Sequence, residues 1–148
     1  MTQHHFQTIE DAKSYTFAGN ATITLQSLRS GTHFTYKVKL ADENKSGLNL
    51  TTPMWFVNLL ADGSADDGTF RYLGIVRNGE FRLTKASRAG ADAPSVKAFG
   101  FFMSLRELHP QLVVRHEGRC GKCGRTLTVP ESIDRGIGPE CASKMGLN

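Results

Sequence analysis

Apolar and polar residues alternate with period two along two early stretches of the chain. From Asn20 onward, Ala21, Ile23 and Leu25 fall on one side and Thr22, Thr24 and Gln26 on the other. From Thr32 to Leu40, Phe34, Tyr36, Val38 and Leu40 alternate with His33, Thr35, Lys37 and Lys39. Successive side chains of a strand point to opposite faces, so each run predicts a half-buried strand. Ser30-Gly31 supplies a turn between them, and the pair reads as an antiparallel hairpin. Ala41 to Gly47 reads as a charged loop. Met54 to Leu60 is a continuous apolar run whose length does not decide between strand and buried helix. After a polar, Gly-rich loop from Asp62 to Gly68, the runs Phe70 to Arg77 and Glu80 to Lys85 flank Asn78-Gly79, the strongest hairpin signal in the chain. That register sets Val76 opposite Phe81 and Gly74 opposite Leu83, with Ile75–Arg82 and Arg77–Glu80 on the other face. Ala86 to Ala93 reads as a loop. Pro94 then suits the first turn of a helix running to about Leu108, with an apolar stripe of Val96, Phe99, Phe102, Met103 and Leu105 and with Pro110 beyond its end.

These elements predict an α+β protein: an antiparallel β-sheet with one packed helix, followed by a small C-terminal module. The expected divisions are a flexible arm at 1–14, a β-rich α+β domain at 15–112 and the module at 113–148. Phe34, Tyr36, Trp55, Phe70, Phe81 and Phe99 are assigned to the core, whereas Tyr15, Phe17 and Tyr72 are left as exposed aromatics. A chain of 148 residues is long enough to bury such a core, and its apolar and charged fractions, 39% and 22%, are those of an ordinary globular protein. No apolar run approaches the roughly 18 residues that span a bilayer. The first residues lack the basic and apolar regions of a secretory signal. A cytoplasmic location is therefore expected, with no membrane partner.

The module is defined by its cysteines. Cys120-Gly121-Lys122-Cys123-Gly124-Arg125 has the form of a zinc knuckle, in which two thiolates two residues apart bind one ion across a tight turn. Gly136-Ile137-Gly138-Pro139-Glu140-Cys141 reads as a loop entering a short helix, which would set a third thiolate in a first helical turn. Together they suggest a treble-clef-like or zinc-ribbon-like fold holding Zn2+ through Cys120, Cys123 and Cys141. His116 is the best candidate for the fourth ligand, with Asp134, Glu140 and His109 as alternatives. Three protein thiolates and an imidazole close a tetrahedral site, so the metal is expected to be structural. The competing reading is that the cysteines are unmetallated, or that Cys120 and Cys123 form a redox pair.

The combination of Cys120-Gly-Lys-Cys-Gly-Arg-Thr-Leu, Pro130-Glu-Ser and Gly136-Ile-Gly-Pro-Glu-Cys141 resembles a family of unknown function found in phage and plasmid proteins. The resemblance covers roughly residues 116–148. Upstream, Pro53-Met-Trp-Phe-Val and Asp92-Ala-Pro-Ser-Val-Lys-Ala-Phe are similar to a region that precedes this module in phage proteins. The resemblance implies a phage or mobile-element setting and a metal site, and no established activity.

Charge changes the picture further. Residues 1–70 carry five Lys/Arg against seven Asp/Glu, and residues 71–148 carry thirteen against seven. A basic half favours an anionic partner. Lys37 and Lys39 share a strand face, Arg71, Arg77 and Arg82 are expected on one face of the Asn78-Gly79 hairpin, and Arg119, Lys122 and Arg125 surround the knuckle. Cations on a rigid sheet can track phosphates while aromatics stack on bases, so DNA or RNA is the expected partner. Catalytic constellations are thin. No nucleophile motif surrounds any serine, Gly136-x-Gly138 lacks a dinucleotide-binding context, and Asp62-x-Ser64-x-Asp66 departs from a calcium loop at Asp67 and Leu73. The expected protein is a non-catalytic, zinc-containing nucleic-acid binder. The alternative is a protein-binding inhibitor or adapter, phage-encoded, acting on a host defence or regulatory complex.

Overall fold

The computed structural model describes residues 4–41, 53–62 and 69–116. The body of the expected Ala41–Gly47 and Asp62–Gly68 loops, and residues 117–148 of the expected module, lie outside these. The described residues form an α+β unit. Its strands are β1 (His4–His5), β2 (Asn20–Ser27), β3 (His33–Leu40), β4 (Met54–Asp62), β5 (Thr69–Arg77), β6 (Glu80–Arg82) and β7 (Leu112–His116), and its helices are α1 (Ile9–Thr16) and α2 (Pro94–Ser104). They make one antiparallel seven-stranded sheet in the order β1-β7-β2-β3-β4-β5-β6. Strands β2 to β6 are therefore a meander, and β7 returns to lie between β1 and β2.

The period-two runs form the strands they predict. Asn20 to Gln26 pair with Lys39 to His33, and the ambiguous Met54–Leu60 run becomes β4. At the Asn78-Gly79 turn both residues have positive φ, 54° and 74°, as a two-residue hairpin turn requires. The expected register holds for Val76–Phe81, Ile75–Arg82 and Arg77–Glu80. Strand β6 stops at Arg82, short of the expected Lys85.

One face of the sheet carries the core. Ala21, Ile23, Leu25, Tyr36, Val38, Val57, Leu73, Val76 and Val114 are buried there beneath Val96, Phe99 and Phe102 of α2. The Phe99 ring sits 5.0 Å from Tyr36 and 4.8 Å from Phe81, in tilted and edge-on arrangements that suit aromatic quadrupoles. Tyr36 is fully buried and donates its hydroxyl to the Ser95 carbonyl at 2.6 Å, tying β3 to the first turn of α2. Burial pushes the Tyr36 phenol above its ordinary value, because the phenolate cannot be solvated there.

Four expectations are corrected. The segment assigned to a flexible arm contains β1 and most of α1, and it places Phe6, Ile9 and Ala12 in the core. The signal was present at helical spacing: Phe6, Ile9, Ala12 and Tyr15 repeat every third residue, and the Thr8 hydroxyl caps the helix by accepting from the Asp11 N–H at 3.1 Å. There are accordingly two packed helices, not one. The longer α2 ends at Ser104, before the expected Leu108, because Leu105 turns extended. Its C-terminal carbonyls are taken up by α1 instead, where Lys13 Nζ donates to Met103 O at 3.2 Å and Leu105 O at 2.7 Å. Finally, a division at residue 113 would cut β7, whose Val114 is buried and whose residues pair with both β1 and β2.

Candidate nucleic-acid interface

The face of the sheet away from α2 is built by register. Lys37 of β3 pairs with Asn58 of β4, which pairs with Tyr72 of β5. In the next row Lys39 pairs with Phe56, Phe56 with Ile75, and Ile75 with Arg82 of β6. Paired residues share a face, so Lys37, Lys39, Arg77 and Arg82 stand with Phe56, Phe70 and Tyr72 on one surface. The aromatics are half-buried there. Phe56 and Tyr72 meet edge-on at 6.3 Å, and the Tyr72 hydroxyl lies 2.9 Å from the Thr84 hydroxyl. Lys37 Nζ sits 4.8 Å above the Phe70 ring, a cation–π contact that holds the lysine across the strands. Phe70 thus belongs to this outer face and not to the core, to which it was assigned.

Arg71 does not join them. A β-bulge interrupts the β4–β5 ladder: Val57 pairs with Gly74 but Asn58 pairs with Tyr72, leaving Leu73 as the extra residue. One inserted residue exchanges the faces of everything beyond it. Tyr72 is turned to the outer face beside Asn58, and Arg71 pairs with Leu59 at the margin of the core face. Strict alternation had put Arg71 with Arg77 and Arg82. Arg82 itself is engaged, since its guanidinium forms an ion pair with Glu80, with Nε to Oε2 at 2.9 Å. Both partners are well exposed, at 66% and 59%, so the pair is a weak competitor for an outside anion.

The other stacking candidates are also resolved. Tyr15 is buried at 1%, and its hydroxyl donates to Thr22 O at 2.7 Å while accepting from Thr22 N at 3.0 Å. Phe17 packs edge-on against Trp55 at 5.2 Å. Tyr15 is thus unavailable to a base, and Phe17 is half-buried against Trp55, away from the Lys37–Asn58–Tyr72 row.

Of the expected metal ligands, Cys120, Cys123 and Cys141 lie outside the described residues, as do Arg119, Lys122 and Arg125 and the alternatives Asp134 and Glu140. His116 ends β7 on the core face, opposite Ile23, and is 1% exposed. Its ring lies 5.0 Å from Phe6 and 5.4 Å from Tyr15, so an aromatic cluster fixes its plane. His109 is exposed, 5.5 Å from Phe101, and its Nδ1 accepts from the Gln111 N–H at 3.0 Å. Among the described residues no three His, Cys, Asp or Glu side chains converge on a common point. No helix among them is long and apolar enough to cross a membrane.

Residues 110–146 match the model of a family described as a family of unknown function, DUF6011. The match overlaps the segment in which the cysteine motifs were seen to resemble an uncharacterised family. It begins ahead of β7, so the matched unit includes a strand of the main sheet. No curated protein and no solved structure matches the chain.

Proposed function

We propose that this protein binds single-stranded DNA or RNA, without catalysis, across the outer face of its sheet. The observation that carries the reading is the interleaving of Lys37, Lys39 and Arg82 with Phe56 and Tyr72 in adjacent cross-strand rows. Cations spaced across a rigid sheet suit successive phosphates, and aromatic faces between them suit unstacked bases in a way that a closed duplex does not. Within this reading the C-terminal module is a structural zinc site held by Cys120, Cys123 and Cys141 with His116. Its basic residues Arg119, Lys122 and Arg125 are assigned to phosphate contact in the same proposal. The phage or mobile-element setting implied by the cysteine motifs, and a cytoplasmic location, belong to the same proposal.

The bulge supplies an internal control. Lys39→Ala removes an exposed cation from the outer face, whereas Arg71→Ala removes the same charge from the opposite side. Fluorescence anisotropy with labelled single strands at several salt concentrations should show weaker binding and a log–log salt slope shallower by about one for Lys39→Ala. Arg71→Ala should leave the slope in place. Equal effects from the two substitutions would remove the outer face as the site, and equal affinity for duplex would remove the preference for single strands.

A further inference from the structure

On the α2 side of the sheet a cavity of about 570 Å3 opens between the β2–β3 turn, the N-terminal half of α2 and the approach to β7. Its volume falls in the range of small-molecule sites, roughly 300–1,000 Å3. Its walls are continuous with the core, since Leu25 belongs to the core and Phe34, Ala98 and Leu112 pack against it. Leu25 and Phe34 of the core face, Leu112 of β7 and Pro94, Ala98 and Phe101 of α2 form apolar walls, with the small Ala98 side chain leaving room between the larger ones. Phe101 is 44% exposed and contributes accessible apolar surface to the cavity.

The rim has a sign. Arg29 from the turn and Lys97 from α2 line the opening with His109, against a single carboxylate, Asp92. Among the described residues neither cation is ion-paired with Asp92. His109 Nδ1 already accepts from the Gln111 N–H, so the neutral ring carries its proton on Nε2 and has a donor to offer. Apolar walls beneath a mouth with two cations and a ring N–H donor complement one kind of molecule. We infer that this cavity binds a small amphipathic anion, an aromatic or medium-chain aliphatic body bearing one carboxylate, sulfonate or phosphate. The body fills the space beside Ala98 and Phe101, and the head group sits between Arg29 and Lys97. The site is independent of the outer sheet face.

The test uses the full-length chain and two probes, anilinonaphthalene sulfonate and decanoate. The fluorescent probe should bind saturably, one per chain, and be displaced by decanoate. Lys97→Glu, at an exposed position of α2, should weaken binding by about tenfold, the scale of one charge-assisted contact. Ala98→Trp should abolish it by filling the cavity. Lys39→Glu, on the outer face, should leave it unchanged, which separates this site from the nucleic-acid surface. Each variant is checked by thermal melting, and Lys97→Glu alone remains decisive should the larger tryptophan impair folding. Emission that fails to saturate, or that survives Lys97→Glu at full affinity, overturns the assignment.

Discussion

Tyr36 shows how one side chain couples packing to chemistry. Its ring fills the centre of the core and its hydroxyl satisfies the Ser95 carbonyl under α2. Tyr36→Phe keeps the ring and strands a buried acceptor, at a cost of about 1–2 kcal/mol measurable by denaturant titration. Ionisation gives a second readout. The folded-state phenol titrates above its ordinary value through burial, so this contribution is complete below about pH 10 and is lost as pH rises beyond it. The wild type should therefore lose stability in alkali by more than Tyr36→Phe does, and parallel pH profiles would show that the phenol is not responsible. The sequence placed Tyr36 correctly, since alternation with Lys37 and Lys39 leaves it no other face. It misplaced Tyr15, whose mark of burial was its helical spacing from Ile9 and Ala12 and not its polar neighbourhood.

At the scale of elements, the bulge at Leu73 decides which residues work together. The existence of β2, β3, β5 and β6, their hairpin registers and the start of α2 were legible from period and turn chemistry, which are local, whereas β4 stayed undecided and β1 and β7 went unread. The bulge was only hinted at, by Gly74 and by the adjacent apolar pair Tyr72-Leu73, because its position depends on how β5 meets β4. The same region contains a close approach that constrains sequence. A Cβ on Gly74 would lie 2.5 Å from the Arg82 carbonyl oxygen and 2.9 Å from Phe81 Cε1. Backbone at that distance cannot yield without moving β6, so Gly74→Ala should destabilise by about 2–3 kcal/mol. In an unobstructed strand the same change would stabilise, through the lower entropy of the unfolded chain. A raised melting temperature for Gly74→Ala would show that β6 is free to move. Helix α1 was legible in principle, through Thr8 and the spacing of Phe6, Ile9 and Ala12. At eight residues, however, it owes its stability to packing and to the Lys13 contacts rather than to its own propensity.

For the molecule as a whole, β7 joins two regions that the sequence suggested were separate. His116 belongs to the sheet core and is also the expected fourth ligand of the zinc site, roles that a conservative change can separate. His116→Phe preserves aromatic packing against Phe6 and Tyr15 while removing both ring nitrogens. Native mass spectrometry should find one zinc per wild-type chain. The variant should lose zinc affinity, read as the holo-minus-apo shift in melting of each protein so that any change in the apo fold is subtracted. Full zinc retention would assign the fourth position to another group. The spacing of the cysteines was plain in the sequence, whereas the basic surface could only be assembled once strand order was known, since its residues come from β3, β5 and β6. The place of β7 also sets an order of events during synthesis. The β2–β6 meander joins neighbours in sequence and can form as it emerges, but β1 and β2 both wait for Leu112–His116. Until that strand arrives, β2 presents an unpaired edge beside Ile23 and Leu25, so a ribosome stalled before residue 112 would hold a chain primed to pair with its neighbours.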